Sequence, residues 1–233
     1  MGGKATDEVG DNRILAALRP EARAFLFERA ERREMKAGDV VFRDGQPVTH
    51  VVFPHSGVVS IIAEMSNGPS VEKSSIGREG FLGFSVIMGG GESLGRSVVQ
   101  VAGHASWVSV PDLDIALERF FCVREAMLRY AKSHIVQLME SVACNSLHSA
   151  EQRVARWLLH AYDRVEGDTF YITQESVATL LALRRATVNA ICTDLMNAGA
   201  ISYHRGSLSV TDRPLLLQRA CECYGRIHKA GMT

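Results

Sequence analysis

The sequence predicts an α+β protein with a β-rich N-terminal half, a long helical stretch and a C-terminal winged helix-turn-helix. Three observations carry this. Between Val40 and Val110, short β-rich runs follow one another closely, separated by turn pairs. From Asp112 to about His148 apolar residues recur at helical spacing. The segment Thr173 to Ala200, TQESVATLLALRRATVNAICTDLMNAGA, reads as two short helices joined by a tight turn.

Taken in order, residues from about Asp11 to Met35 are expected to be helical. Ile14, Leu15, Leu18, Ala22, Phe25 and Leu26 keep helical spacing, and Pro20 interrupts it. The pattern changes at Lys36 to Asp39. The β-rich runs are then Val40 to Phe42, His50 to Phe53, Gly57 to Ala63, Arg96 to Val101 and Ser106 to Val110, with Asp44-Gly45 and Asn67-Gly68 as turns. Many short strands of this kind suggest a sandwich or barrel.

Pro111-Asp112 closes that region. The helical stretch that follows is expected to break near Phe121-Cys122. Met127, Ala131, His134, Leu138, Ser141, Asn145 and His148 form a near-heptad stripe, widened by Ile135, Met139 and Val142. The stripe suits either a helix covering the barrel or a parallel dimer seam whose polar positions set register. Met127, Ala131, His134, Leu138, Ser141, Val142 and Asn145 are the residues expected at the seam.

Glu151 to Arg164 reads as an amphipathic helix with Val154, Trp157, Leu158 and Tyr162 inward, ended by Gly167-Asp168. Short strands are expected around Phe170 to Ile172, Ile201 to Tyr203 and Leu208 to Val210, with Arg205-Gly206 as the turn between the last two. These strands are the wing.

The chain has 233 residues, 46% of them hydrophobic, enough for a real core. No apolar run approaches the ~20 residues of a bilayer span, and the first residues lack the apolar stretch of a secretory signal. A cytoplasmic protein without membrane contact is expected. Cys122, Cys144, Cys192, Cys221 and Cys223 read as free thiols in a reducing compartment. Cys221 and Cys223 form a C-x-C, which supplies only two of the four ligands of a structural zinc, so no metal site is assigned.

Net charge is zero. From Glu151 to Arg213 seven arginines face seven carboxylates, so any basic footprint must come from placement rather than excess. In the two-helix segment Thr173 is a helix N-cap, Val177, Leu180 and Leu181 are apolar, and the turn falls at Ala182-Leu183. Val188, Ile191 and Leu195 face inward from the second helix, and Gly199 ends it. Arg184, Arg185, Thr187 and Asn189 remain outward. Arginine pairs bidentately with guanine, asparagine pairs with adenine, and threonine suits a phosphate. Thr173 and Gln174, at an N-terminal helix end, are expected at phosphate, and His204 and Arg205 of the wing at the neighbouring backbone. Double-stranded DNA is the partner this pattern fits.

Several segments together resemble the Crp/Fnr superfamily of bacterial transcription regulators. They are Gly38-Asp39, SGVVSI (Ser56 to Ile61), GREGFLG (Gly77 to Gly83), Arg96-Ser97, EQRVARWLL (Glu151 to Leu159) and ITQESVATLLALRRATV (Ile172 to Val188). The resemblance runs from about Leu15 to Val210. It implies a jelly-roll-like, cyclic-nucleotide-binding-type β-roll as sensor, a long dimerisation helix and a winged helix-turn-helix. The expected divisions are a helical segment 1–35, the β-roll 36–111, dimerisation helices 112–149, the DNA-binding domain 150–213 and a helical tail 214–233. It also implies a homodimer on a palindromic operator, RNA polymerase as a further partner, and no enzymatic activity. Arg185 falls at the position that contacts a guanine, Arg184 and Thr187 near phosphate, and Asn189 at a base contact. Ala186 stands where several relatives carry a base-reading glutamate, so a different operator is expected. Ala182 replaces the usual turn glycine, at a cost on the order of 1 kcal/mol.

For the effector the resemblance points to Gly83, Phe84, Arg96, Ser97, Leu138 and Met139. Phe84 stands where cyclic-AMP binders carry the ribose-binding glutamate, so cyclic AMP in its usual pose is not expected. Arg96-Ser97 still suits a small anionic effector. No iron–sulfur cluster is expected, because the N-terminal segment and the barrel hold no cysteine. His50, His55 and His104 could in principle serve a haem but more often are hydrogen-bonded histidines. Gly89-Gly90-Gly91 lacks the lysine of a P-loop and reads as a turn. The spacing singles out no nucleophile–base pair. The alternative to a DNA-binding regulator is a small-molecule-sensing module that acts through protein partners.

Overall fold

The computed structural model describes residues 12–66, 68 and 70–231; Asp11 and Asn67, assigned above to a helix and a turn, lie outside the described residues. The fold starts from a buried asparagine. The Asn12 side chain caps α1 (Arg13–Ala16) by accepting from the Ile14 and Leu15 amides, and its NH2 donates to the Pro54 and Gly80 carbonyls at 2.9 and 2.6 Å. Pro20 occupies the first turn of α2 (Pro20–Arg29), where its missing N–H is harmless, so it opens this helix rather than breaking one.

The helical reading does not hold to Met35. Glu31–Met35 is strand β1, antiparallel to β7 (Gly103–Ser109). Its sequence, ERREM, shows no apolar alternation because it is an edge strand that buries only Met35. Arg33 pairs with Glu31 two residues away on the same face and lies 4.8 Å over the Trp107 ring.

Five further strands complete the roll: β2 (Val40–Phe42), β3 (His50–Pro54), β4 (Val58–Glu64), β5 (Ser70–Ile76) and β6 (Arg96–Val101). They form two antiparallel sheets, β1-β7-β3 and β2-β6-β4-β5. β5 had no sequence signal because SVEKSSI reads as polar, yet it pairs with β4 along its length. Its Glu72 accepts from Ser60 of β4 and from the Trp157 indole. The apolar run of β4 has a tertiary cause. Val59 and Ile61 face the roll interior, while Val58 and Ile62, with Val98 and Val101 of β6, join the apolar core of the C-terminal half. A strand covered on both faces loses its polar alternation.

Ser109 caps α3 (Val110–Arg119), so Val110, expected in the last strand, is helical. Phe120 is extended and separates α3 from α4 (Phe121–Leu147). On α4 the expected seam divides. Met127 is buried in the roll core, His134 is buried against Phe84 and Ser74, and Ala131 is buried as well, so none of the three lies on the open face. Leu138 and Ser141 are half-buried, while Val142 and Asn145 are exposed. The apolar face left open lies one residue further round: Leu128, Ile135, Met139 and Val142. A helix of uniform hydrophobicity offers two candidate stripes, and only the packed roll selects between them.

His134 sits against the Phe84 ring (centroids 5.0 Å apart), Tyr130 and the Ser74 hydroxyl. Burial lowers its pKa to about 4.

A Ser149/Gln152 capping box opens α5 (Ala150–Arg164), which carries Val154, Trp157, Leu158 and Tyr162 into the core. Then come β8 (Thr169–Tyr171), α6 (Gln174–Leu180), α7 (Arg185–Asn197), β9 (Ile201–His204) and β10 (Ser207–Val210), the strands pairing as β8-β10-β9. The chain closes with α8 (Arg213–Arg219) on α5 and α9 (Cys223–Ala230) on α4.

The helix–helix turn is a Schellman motif. Leu183 N–H reaches back to Ala178 at 2.9 Å and Ala182 N–H to Thr179 at 3.2 Å. Ala182 therefore takes φ +50°, as the sequence required. α7 ends in the same motif, but with Gly199 at the left-handed position.

One buried ion pair joins the two halves. Arg164, at the end of α5, places Nη2 2.6 Å and Nε 3.1 Å from the two carboxylate oxygens of Glu79. Its remaining N–H groups donate to the Ser75 hydroxyl and carbonyl. Burial alone would raise the Glu79 pKa, but the Arg164 charge, its hydrogen bonds and backbone amides outweigh it and hold the carboxyl below its usual range. The GREG glycines follow from this packing. A Cβ on Gly77 would lie 2.4 Å from the Arg164 side chain, and one on Gly80 2.1 Å from the Tyr130 ring.

Four expectations follow from these contacts and from the Ala182 turn. Arg164→Met leaves Glu79 without its partner and should cost about 3–5 kcal/mol in a denaturant titration; a loss below ~1 kcal/mol would show that the pair does not join the halves. Because the Glu79 pKa is depressed, the pair's contribution is present above the ordinary carboxylate pKa of ~4 and disappears as pH falls through the lower folded value. Ala182→Gly should stabilise the chain by about 0.5–1 kcal/mol by relieving the positive φ, and a lower melting temperature would refute the strain. His134, with a folded pKa below the unfolded ~6.5, resists a proton that the unfolded chain accepts, so stability should fall as pH drops from ~6.5 to the folded value. His134→Gln should flatten that slope; identical slopes in both proteins would rule the group out.

Candidate nucleic-acid interface

α6, α7 and the wing hairpin place the eight residues singled out for nucleic acid. The Thr173 hydroxyl accepts from the Ser176 amide at 3.0 Å, so it is engaged as the cap of α6. Gln174 follows, half-buried. Arg184 precedes α7 in an extended conformation and caps nothing, so its side chain is exposed. Arg185 begins α7, and Asn189 stands one turn further on the same exposed face. Thr187 is half-buried. His204 and Arg205 are exposed at the wing tip, Arg205 with φ +48°.

Thr173, Gln174, Arg185 and Arg205 line one shallow groove together with Tyr171 and Tyr203. Arg184, Thr187, Asn189 and His204 lie outside its lining. Sequence reasoning missed the two tyrosines. Tyr171 is 57% exposed, and the sign of it was its place in a strand beside the inward Phe170. Tyr203 donates its hydroxyl to the Ile172 carbonyl and fixes the wing to the start of α6.

The zero net charge resolves by position. Arg164 is bound to Glu79, Arg213 to Asp163, and Arg153 donates to the Leu181 carbonyl. Arg156 is buried. Of the seven arginines from 151 to 213, the three left exposed, Arg184, Arg185 and Arg205, all belong to the α7 start and the wing. Glu175 is the carboxylate near them; its oxygen lies 3.6 Å from Arg185 Nε, with both side chains more than 60% exposed. Such a pair is weak and easily exchanged.

Several of the residues expected at an effector already have neighbours within the chain. Phe84 packs on His134, Arg96 is held 2.8 Å from the Glu64 carboxylate, Ser97 is buried within β6, and Gly83 has φ +91° beside Val48. Leu138 is half-buried, while Met139 is 67% exposed on the outward side of α4. A half-open cavity of about 270 Å3 lies elsewhere, between the 78–79 turn, α4, α5 and α9, lined in part by Arg78, Glu79, His134, His160 and Arg164. Arg78 Nε and His160 Nε2 are buried in it without a hydrogen-bond partner among the described residues. Burial and the charges of Arg164 and Arg156 push the His160 pKa well below its usual value.

His50, His55 and His104 each bond a hydroxyl of this chain, those of Thr49, Ser106 and Ser56. Gly89, left-handed at φ +86°, ends a single 3₁₀ turn (Val86–Met88). Among the described residues no helix is long and apolar enough to cross a membrane.

Comparison with known proteins agrees with this architecture. The cyclic nucleotide-binding domain matches residues 32–110, and the Crp-like helix-turn-helix domain matches residues 152–219. No curated protein matches the chain. Among solved structures, FixK2 from Bradyrhizobium japonicum shares the fold with TM-score 0.67 at 13% identity, over 82% of this chain and 98% of that one. CLP from Xanthomonas campestris, described as a c-di-GMP responsive global regulator, gives TM-score 0.64 at 15% identity, over 82% and 99%. A CRP-family transcriptional regulator from Thermus thermophilus gives 0.64 at 15%, over 81% and 96%. These likenesses show the fold, and the two domain matches, in this order along one chain, show the family. The chain belongs to the Crp/Fnr superfamily of transcriptional regulators, a family of regulators and not of enzymes.

Proposed function

We propose that this chain binds a palindromic operator as a homodimer, with α7 of each protomer entering one major groove of DNA in the cytoplasm, where it would also meet RNA polymerase. The observation that carries the reading is the segregation of arginines. Within residues 151–213 the arginines with structural partners are buried or neutralised, whereas Arg184 and Arg205 are exposed with no ion pair among the described residues and Arg185 has only its exposed contact with Glu175, all at the helix tip and wing. In this reading Arg185 and Asn189 read bases, while Arg184, Thr187, Gln174, His204 and Arg205 contact phosphates, with Thr173 holding the helix end that presents Gln174.

The homodimer reading is supported by the open stripe of Leu128, Ile135, Met139 and Val142, which follows the 3-4 spacing of a two-helix seam. A small anionic effector gates the pair of α7 helices by binding one dimer arrangement better than the other. Its place is the cavity beside Arg78 and His160, whose unpartnered nitrogens suit an anion, rather than the usual cyclic-nucleotide pose.

Selection from a random duplex pool, with and without cell extract, should enrich a two-fold-symmetric site. On that site Arg185→Ala should cost about 1–3 kcal/mol per half-site and relax one base position. Arg184→Ala should weaken all sequences alike and reduce the salt slope by roughly 2, because a dimer loses two contacts of ~0.9 each. Val142→Asp should give monomers in sedimentation. Affinity unchanged in an Arg184→Ala, Arg185→Ala double variant would instead favour a sensor module acting through protein partners.

A further inference from the structure

Three of the five cysteines are gathered in one place that neither the roll nor the winged half explains. Cys144, Cys221 and Cys223 are buried and form a cluster separate from the two apolar cores. His148 completes it. The three Sγ atoms and a ring nitrogen of His148 lie within 4.8 Å of one another. We infer that Cys144, His148, Cys221 and Cys223 are the ligands of a tetrahedral zinc ion.

The local structure presents the donors in pairs. Cys144 and His148 are four residues apart at the end of α4, which puts both on one side of the helix. Cys221 lies in the connection from α8 and Cys223 opens α9, with Glu222 between them, and both thiols are buried. The sequence offered only the second pair; the fold supplies the first from 77 residues upstream.

The distances suit a metal. Zinc–sulfur bonds of ~2.3 Å in a tetrahedron place neighbouring donors ~3.7 Å apart. Cys144 Sγ is 3.5 Å from Cys221 Sγ, and Cys223 Sγ is 3.6 Å from His148 Nδ1. A disulfide needs sulfurs ~2.05 Å apart, and it would leave the third thiol and the imidazole unexplained.

The surroundings fit as well. His148 directs Nδ1 at the thiols while Nε2 lies 3.2 Å from the Glu222 carboxylate, the outer partner that orients a metal-bound imidazole. Three thiolates and a neutral imidazole around Zn2+ leave one negative charge. Arg156 is buried with an Nε that has no hydrogen-bond partner among the described residues, and its charge acts on Cys144 and Cys221. Soft thiolate donors select zinc over hard cations. The ion would fasten α8 and α9 to the end of α4, just before α5 begins, and so hold the winged half against the helix proposed as the dimer seam. Cys122 and Cys192 take no part.

The full-length chain, purified under reducing conditions without chelators, should carry one zinc per chain by elemental analysis. Cys122→Ser and Cys192→Ser should keep it, and Cys144→Ser and Cys221→Ser should lose it. Cobalt substituted into the wild type should show the visible bands of tetrahedral thiolate coordination, and these should vanish in Cys144→Ser. If those variants fail to fold, the wild type still decides: a chelator should lower its melting temperature, and added zinc should restore it. A chain that takes up neither zinc nor cobalt, one holding iron with acid-labile sulfide, or one with a Cys144–Cys221 disulfide after reducing purification would overturn the site. None of these results depends on DNA binding, so the zinc site and the operator reading fail independently.

Discussion

The Arg164–Glu79 ion pair is the constraint on which the arrangement of the two halves depends. A bidentate guanidinium–carboxylate contact between a helix end and a roll turn leaves little freedom in the position of α5. Its low exposure makes it an all-or-none contact, since either charge alone would be stranded. The pair explains local sequence that otherwise looks arbitrary. Gly77 is small because the Arg164 stem passes over it, and Gly80 because Tyr130 does. The outer face of β4 and β6 is apolar because α5 brings the winged half down upon it.

From that fixed α5 the outer elements follow. Trp157 reaches Glu72 of the roll, Arg153 holds the end of α6, and α7 packs Val188, Ile191 and Leu195 beneath. The outer side of α7 is then left to polar and small residues. A chain of zero net charge can still present a positive tip, because neutralisation is local. Its carboxylates are drawn to Arg164, Arg213 and Arg219, while Arg184 and Arg205 stay clear of them. Binding that relies on three arginines rather than a basic field would owe more to placement than to bulk charge.

The two-helix segment was legible because its determinants are local: a hydroxyl cap, a left-handed turn residue, a C-terminal glycine and apolar spacing all act within a few residues. The misread parts have non-local causes. β1 and β5 carry charges and serines, since their partners lie across a sheet rather than along the chain. The face of α4 that is free to meet a partner is not local either, because only the packed chain shows that Met127, Ala131 and His134 are buried. The neighbours of the residues expected at an effector are likewise non-local: Arg96 meets Glu64, and Phe84 fills space against His134.

The helix-turn-helix, its caps and the left-handed Ala182 were written in the chain, because hydrogen bonds and sterics over short spans decide them. Which faces pair was decided by the folded molecule alone. Cys144 and His148 carry no mark of Cys221 and Cys223, nor Arg164 of Glu79. Such partners are set by the closure of long loops and the exclusion of water between surfaces, and neither has a local signature.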